Sequence, residues 1–294
     1  MPEENPLSSL ELYTKAAERS SSAVIDAYST SFSLATSLLA PEIRQHVKNI
    51  YALVRVADEI VDGAASEARK EGGNIEPSVA LDQLEQEVYR AMRAHFSTNL
   101  VVHAFARTAN ETGFGRAIIE PFFVSMRMDL WPRRHSPESF QTYVYGSAEV
   151  VGLMCLHAFV KESEFFSEDY KKIVKSARAL GAAFQKVNFL RDLAADFDKL
   201  GRSYFPGVDV ASFNETQKAE LIFYIREDLE ISKVGLSMLP KTSRPAVSAA
   251  QMLFAELANQ IEKTPAEELI RARISVPNST KFKILLKAKL GVKP

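Results

Sequence analysis

An all-α fold in one domain is what this 294-residue sequence predicts, and three observations carry that prediction. Apolar residues recur at helical spacing almost throughout, with no alternating apolar–polar runs and no hairpin dipeptides between such runs. Pro132, Pro206-Gly207 and Pro240 stand in the connections between periodic stretches. No internal repeat, long linker or shift of composition divides residues 1–294.

The elements follow in order. Residues 1–8 read as a flexible N-terminus, and Ser8 to Tyr28 as an opening helix with Leu10, Tyr13, Ala17 and Val24 among its apolar positions. Pro41 begins a long helix to Asp62, because proline suits a first helical turn, and Gly63 ends it. Gly63 to Ser78 contains Gly72-Gly73 and Pro77 and is expected as a flexible loop over the acidic end of that helix. Further helices are expected near 79–96, 98–110, 115–128, 136–161, 166–199, 214–238, 245–262 and 265–272. Residues 281–294 form a basic tail in which Lys281 to Leu290 is amphipathic. That pattern suits peripheral contact with an anionic membrane, and equally a closing helix with its lysines in water.

Bulk properties remove several classes of function. At 46% hydrophobic and 25% charged, the chain can bury a substantial core. A net charge of −1 gives no reason to expect nucleic acid. The one cysteine, Cys155, cannot form an internal disulfide, which fits a reducing compartment. Its setting, Val150 to Leu156, makes it a small buried hydrophobe rather than a nucleophile. Met1 to Pro6 is acidic and proline-bearing, unlike a signal peptide. No apolar run approaches the roughly 18 residues of a membrane-spanning helix. The expectation is a cytoplasmic protein, with the tail as a candidate contact to the inner face of the membrane.

The chemistry is concentrated in two acidic pairs of equal spacing, Asp58–Asp62 and Asp192–Asp196. Residues four apart share a helix face, so each pair repels itself unless a cation sits between its members. Hard divalent cations with oxygen ligands, above all Mg²⁺ with Mn²⁺ as a substitute, fit such pairs. A lone pair of this kind is usually a solvated face. Here Ile50 to Ala57 precedes the first pair and Ala177 to Leu190 the second, both largely apolar, so the carboxylates stand at the ends of buried helices, where they are rarely left unpaired. Arg55 precedes the first pair. Gln185, Asn188 and Arg191 precede the second, and Arg202 and Tyr204 follow it. Carboxylates for metal beside Arg and amides for phosphate oxygens point to a Mg²⁺-bound diphosphate. Arg55 and Arg191 have a plainer alternative, pairing with Asp58 or Asp192 on their own helices.

These residues resemble the phytoene/squalene synthase family of head-to-head prenyl transferases, bacterial phytoene synthases in particular. Tyr51, Arg55, Asp58, Glu59 and Asp62 match its Y-x-x-x-R-x-x-D-E-x-x-D. Gln185, Asn188, Arg191, Asp192 and Asp196 match its Q-x-x-N-x-x-R-D-x-x-x-D, and Gly201 to Pro206 its G-R-x-Y-x-P. Tyr143 to Gly152 resembles its tyrosine-rich helix, and Ser29-Thr30-Ser31-Phe32 its N-terminal substrate segment. The resemblance implies a helical isoprenoid-synthase bundle with a central cavity, metal on Asp58, Asp62, Asp192 and Asp196, and substrate held by Ser29, Ser31, Phe32, Tyr51, Arg55, Gln185, Asn188, Arg191, Arg202 and Tyr204. Tyr143 aligns with a cavity tyrosine, with core packing as the alternative. The implied reaction joins two geranylgeranyl diphosphates through a cyclopropyl diphosphate to phytoene, without NADPH, for a downstream desaturase. Thr36, small where fifteen-carbon enzymes can carry a bulkier residue, hints at the longer substrate.

Three positions depart from the family. Thr30 replaces a diphosphate-contacting lysine, Glu149 a glycine, and Phe254 a tyrosine that reaches phosphate; Arg271, Arg273 or Lys281 could compensate. Rival readings are squalene or dehydrosqualene synthesis from farnesyl diphosphate, a terpene cyclase, and a non-catalytic helical scaffold. The cyclase's N-D-x-x-S-x-x-x-E is absent, and a scaffold should lose acidic residues first. A di-iron bundle needs E-x-x-H, which the chain lacks, and the five histidines are scattered.

Overall fold

A capping box sets where the first helix begins. The Ser8 hydroxyl accepts from the Glu11 N–H at 3.2 Å, and the Glu11 carboxylate accepts from the Ser8 N–H at 2.7 Å, which satisfies two orphan donors of the first turn. The computed structural model describes residues 7–131, 134–161, 163, 166–193, 204–271, 273–292 and 294. Its helices are α1 (Ser9–Tyr28), α2 (Thr30–Thr36), α3 (Pro41–Val61), α4 (Ala64–Lys70), α5 (Pro77–Ala94), α6 (Leu100–Thr112), α7 (Arg116–Met128), α8 (Pro137–Val144) and α9 (Val150–Val160). They continue as α10 (Ser167–Arg191), α11 (Glu215–Leu236), α12 (Arg244–Lys263), α13 (Ala266–Leu269) and α14 (Asn278–Lys289). No strand occurs among the described residues.

Two apolar cores build the bundle. One joins α3, α5, α6, α7 and α9 around Leu53, Val88, Phe105, Phe122 and Phe123. The other joins α10, α11 and α12 around Val187, Leu190, Ile225, Leu257 and Ile261. Helix α10 packs along α11 and α9 and so connects the two. Close contact there depends on missing side chains. A Cβ on Gly181 would sit 2.5 Å from the Ala148 carbonyl oxygen, and one on Gly152 2.7 Å from that of Ala177.

Several expectations need correction. The segment after Gly63 is not an open loop, for α4 forms within it. Glu59 makes that possible: its carboxylate accepts from the Ala64 N–H at 2.8 Å and lies where a Cβ on residue 63 would be, which is why Gly63 stands there. Between the first two long helices, the short α2 is added. The expected helix 136–161 is interrupted by a π-helical turn, Tyr145–Glu149. Such a turn leaves a carbonyl without its usual partner, and the Ser125 hydroxyl donates to Tyr143 O at 3.1 Å. Pro137–Val160 is long and apolar enough to cross a membrane, contrary to expectation, yet half of its most apolar stretch is buried within the bundle. Helix α10 ends at Arg191, so Asp192 caps it rather than lying inside it. Among the described residues of 265–272, helix is confined to the single turn α13.

Candidate active site

Helices α3 and α10 run in the same sense along a cavity of about 240 Å³. Its floor is made by Leu39, Val47, Phe159, Ile173, Leu236 and Leu239, and Phe159 belongs to the apolar clusters of both helix starts. Towards the other end it is lined by Val54, Ser147, Phe184 and Gln185. On α10 the lining face runs from Ile173 to Gln185, about 18 Å at 1.5 Å per residue.

The acidic motifs continue these faces. One helical turn beyond Val54 stands Asp58, and Asp62 caps α3. Beyond Gln185 the same face of α10 carries Asn188 and then its cap, Asp192. Both acidic ends therefore lie at one mouth, past an apolar interior. Each also sits at a helix C-terminus, where the macrodipole disfavours negative charge and cations are preferred. No Lys, Arg or His occupies the last turn of α3.

Cationic and amide groups meet these carboxylates. Arg55 ion-pairs with Glu59 one turn on, and its guanidinium lies 4.1 Å above the Tyr28 ring. Arg191 grips Asp192 with both nitrogens of its fork, Nε at 3.0 Å. Arg273 reaches the same carboxylate from beyond α13, its Nε 2.7 Å from Oδ1. The plainer alternative for Arg191 is thus realised, and Arg55 pairs with Glu59. Asn188 Oδ1 and Arg55 Nε are buried with no hydrogen-bond partner. Buried amide oxygens are rarely left so, and each costs about 1–3 kcal/mol.

The substrate segment closes the α2 side. Phe32 lines the cavity and stacks on Tyr51 with centroids 5.5 Å apart. Burial raises the Tyr51 hydroxyl pKa, opposed by the nearby Arg55 and by a hydrogen bond with Ser29. Thr36 also lines the wall. The side chains of Thr30 and Ser31, and all of Asp196 and Arg202, lie outside the described residues.

Tyr143 and Tyr204 are placed elsewhere. Neither is among the cavity-lining residues. Tyr143 donates to Asp129 Oδ2 at 2.6 Å and packs against His135, Phe189 and Tyr204, while Tyr204 stacks on Phe189 at 4.0 Å. Burial, then the Asp129 charge, pushes the Tyr143 hydroxyl well above its ordinary pKa. Core packing is therefore the role it has in this conformation.

Two departures also acquire a setting. Glu149 points to Arg178 at 2.7 Å, outside the cavity lining, so no unpaired carboxylate faces the interior there. Phe254 stacks on the cavity-lining Phe184 at 3.7 Å. Cys155 lines the wall, and burial pushes its thiol up to about 12, as expected of an inert hydrophobe. Sequence reasoning missed Tyr28, Asp129 and the floor residues Phe159, Leu236 and Leu239. An aromatic directly before the Ser29 segment was the available hint for Tyr28; the floor residues look like any core position.

Among the described residues, no three His, Cys, Asp or Glu side chains converge on one point. A cation here would share its ligands between the two helix ends and an anionic substrate. The donor chemistry fits that: carboxylates at adverse helix ends, with an unpartnered amide oxygen on the same face.

Comparison with known proteins gives a consistent picture. A family model described as squalene/phytoene synthase matches residues 25–280. A 15-cis-phytoene synthase of Paracoccus sp. is 27% identical over 270 residues, covering 87% of this chain and 86% of the relative. One from Synechococcus elongatus is 29% identical over 279 residues, covering 87% and 86%. Among solved structures, a dehydrosqualene synthase with bound ligand superposes with a TM-score of 0.78 at 22% identity, over 96% of this chain and 99% of that one. A squalene synthase from Alicyclobacillus acidocaldarius gives 0.71 at 18%, over 86% and 95%.

Proposed function

The chain belongs to the squalene/phytoene synthase family, and from that premise we propose that it joins two geranylgeranyl diphosphates head to head into phytoene, a step of carotenoid biosynthesis. The observation that carries the reading is the pair of acidic helix ends at one mouth of a long apolar cavity. The phytoene synthases among its relatives, similar over most of both chains, support the choice of product.

Asp58, Asp62, Asp192 and Asp196 would hold divalent cations, Mg²⁺ or Mn²⁺. Such ions, when bound, stabilise the departing diphosphate by Lewis-acid charge neutralisation. Arg55, Arg191 and Arg202 take phosphate oxygens, and Gln185, Asn188, Ser29 and Ser31 supply polar contacts. Arg191 and Arg273 hold Asp192 and turn to the substrate's charge when it arrives. The apolar wall excludes water from the allylic cation left behind, and the ring of Phe32, backed by Tyr51, stabilises it by roughly 0.5–2 kcal/mol. That cation alkylates the second molecule's double bond, and loss of a proton closes the cyclopropane. A second ionisation, rearrangement and proton loss give the conjugated triene. No hydride is consumed, so NADPH is not required. Tyr143 and Tyr204 serve by fixing the helix that bears Ser147 and Ala148. The hydrocarbon passes to a desaturase.

The test is incubation with Mg²⁺ and labelled geranylgeranyl or farnesyl diphosphate in separate tubes, with and without NADPH, and identification of hydrocarbons by mass. Phytoene from the twenty-carbon substrate, lost in Asp58→Ala and Asp192→Ala, is expected. Squalene or dehydrosqualene from the fifteen-carbon substrate would overturn the substrate assignment and keep the site. No hydrocarbon from either, with the protein folded, would overturn catalysis.

A further inference from the structure

Helix α14 buries the wrong amount of its apolar surface for a closing helix. Ile284 and Ala288 face inward, where α14 packs on α12 and α2. Phe282, Leu286 and Leu290, each four residues after the last, stand 70%, 50% and 72% exposed. They make one outward stripe, about 12 Å long at 1.5 Å per residue. Lysines border it on both sides: Lys283 and Lys287 lie along one edge, and Lys289 along the other. The helix carries no Asp or Glu, and none of its lysines is in an ion pair among the described residues.

We propose that α14 is a docking helix that lays Phe282, Leu286 and Leu290 into the surface of an anionic lipid bilayer, with Lys283, Lys287 and Lys289 on the lipid headgroups. A stripe of large apolar side chains flanked by lysines is the geometry of an interfacial helix, whose binding combines apolar burial with attraction to negative lipid. Charge decides against a second copy of the chain. Pairing two such stripes face to face would bring together two sets of unneutralised lysines, and like charges in contact oppose association. A bilayer of negative lipid removes that repulsion. The same helix rests on α2 and α12, which supply Phe32, Ala35, Thr36, Ala246, Val247 and Ala250 to the cavity wall. Docking therefore sets the apolar cavity beside lipid. The proposal stands on the stripe alone and does not depend on the reaction assigned above.

The experiment is vesicle flotation of the full chain with phosphatidylcholine vesicles, with and without about one-third phosphatidylglycerol, beside size-exclusion light scattering. Wild type should float with the anionic vesicles and far less with neutral ones. Phe282→Ser/Leu286→Ser/Leu290→Ser should lower the partition at least tenfold with an unchanged melting temperature, since the three side chains are exposed. Lys283→Glu/Lys287→Glu should lower it too, by about fivefold or more per lysine, and wild-type binding should weaken in high salt. Equal flotation of wild type and both variants would overturn the proposal. So would a wild-type dimer that the triple variant converts to monomer without any change in flotation, because the stripe would then be a protein interface.

Discussion

The cavity mouth and the seam between α1, α3 and α6 are both polar places inside a helical bundle, and they differ in the kind of polar group each gathers. In the seam, neutral groups answer one another: Thr14 meets His103 at 3.1 Å, His46 meets Thr108 at 3.1 Å, Asn49 donates to Thr108 at 3.0 Å and Gln45 donates to Asn49 at 2.9 Å, with Ser21 Oγ and His103 Nδ1 left over. At the mouth, carboxylates stand at the adverse ends of two helices and the Asn188 oxygen has no partner. The seam spends its hydrogen bonds on the fold. The mouth instead concentrates charge, with Arg191 and Arg273 on Asp192 and Arg55 on Glu59, groups that a charged ligand can recruit, and that contrast separates a structural polar cluster from a site.

The sharpest test of the contrast is removal of charge. Asp58→Ala or Asp192→Ala should lower kcat by about 10³-fold, on the scale of losing one group that stabilises transition-state charge. The melting temperature should change little, because relief of the adverse helix-end charge offsets the pairing that Asp192→Ala takes from Arg191 and Arg273. A large fall in stability would mean that these carboxylates are structural. Next come two asparagines of equal size. Asn49→Leu should destabilise by about 1–3 kcal/mol by removing its bonds with Thr108 and Gln45, whereas Asn188→Leu should be neutral or stabilising while weakening substrate binding. Urea unfolding of both variants reads the difference, and equal losses would break the comparison.

Ligand linkage gives a smaller effect. Mg²⁺ with inorganic diphosphate at ten times the dissociation constant should stabilise the protein by about 1.4 kcal/mol, and chelation should remove the gain. Asp62→Asn should abolish it, and no variant in the seam should. The smallest effect is in pH. Burial lowers the pKa of His46 and, likewise chiefly by burial, that of His103, although Glu111 opposes this at His46. A base whose folded pKa is depressed binds its proton first in the unfolded chain. Stability is thus full above the ordinary histidine value and falls as pH drops from about 6.5 towards the folded values. Urea midpoints at pH 7.5 and 5.5 should show that fall; a rise would mean the Glu111 pairing dominates.

How far the sequence could be read depended on whether the relevant physics was local. Periodicity and proline placement determined the all-α class and the long helices beginning at Ser8 and Pro41, since a helix face and a cap are written within a few residues. Spacing alone put Asp58 and Asp62 near the end of one helix and Asp192 at the end of another, and motif order identified the family. Other features were decided only when segments met. Glu59 folding onto Ala64 made α4 out of an expected loop. The π turn reflects Gly146 closing on Pro121 and Ser125 across two helices. Tyr143 found Asp129 and a ring cluster instead of the cavity wall, and Glu149 found Arg178. Sequence alone could suggest that the tail is amphipathic; tertiary packing decided which face stays uncovered. Partners distant in sequence leave no periodic trace, and helix packing is what brings them within reach.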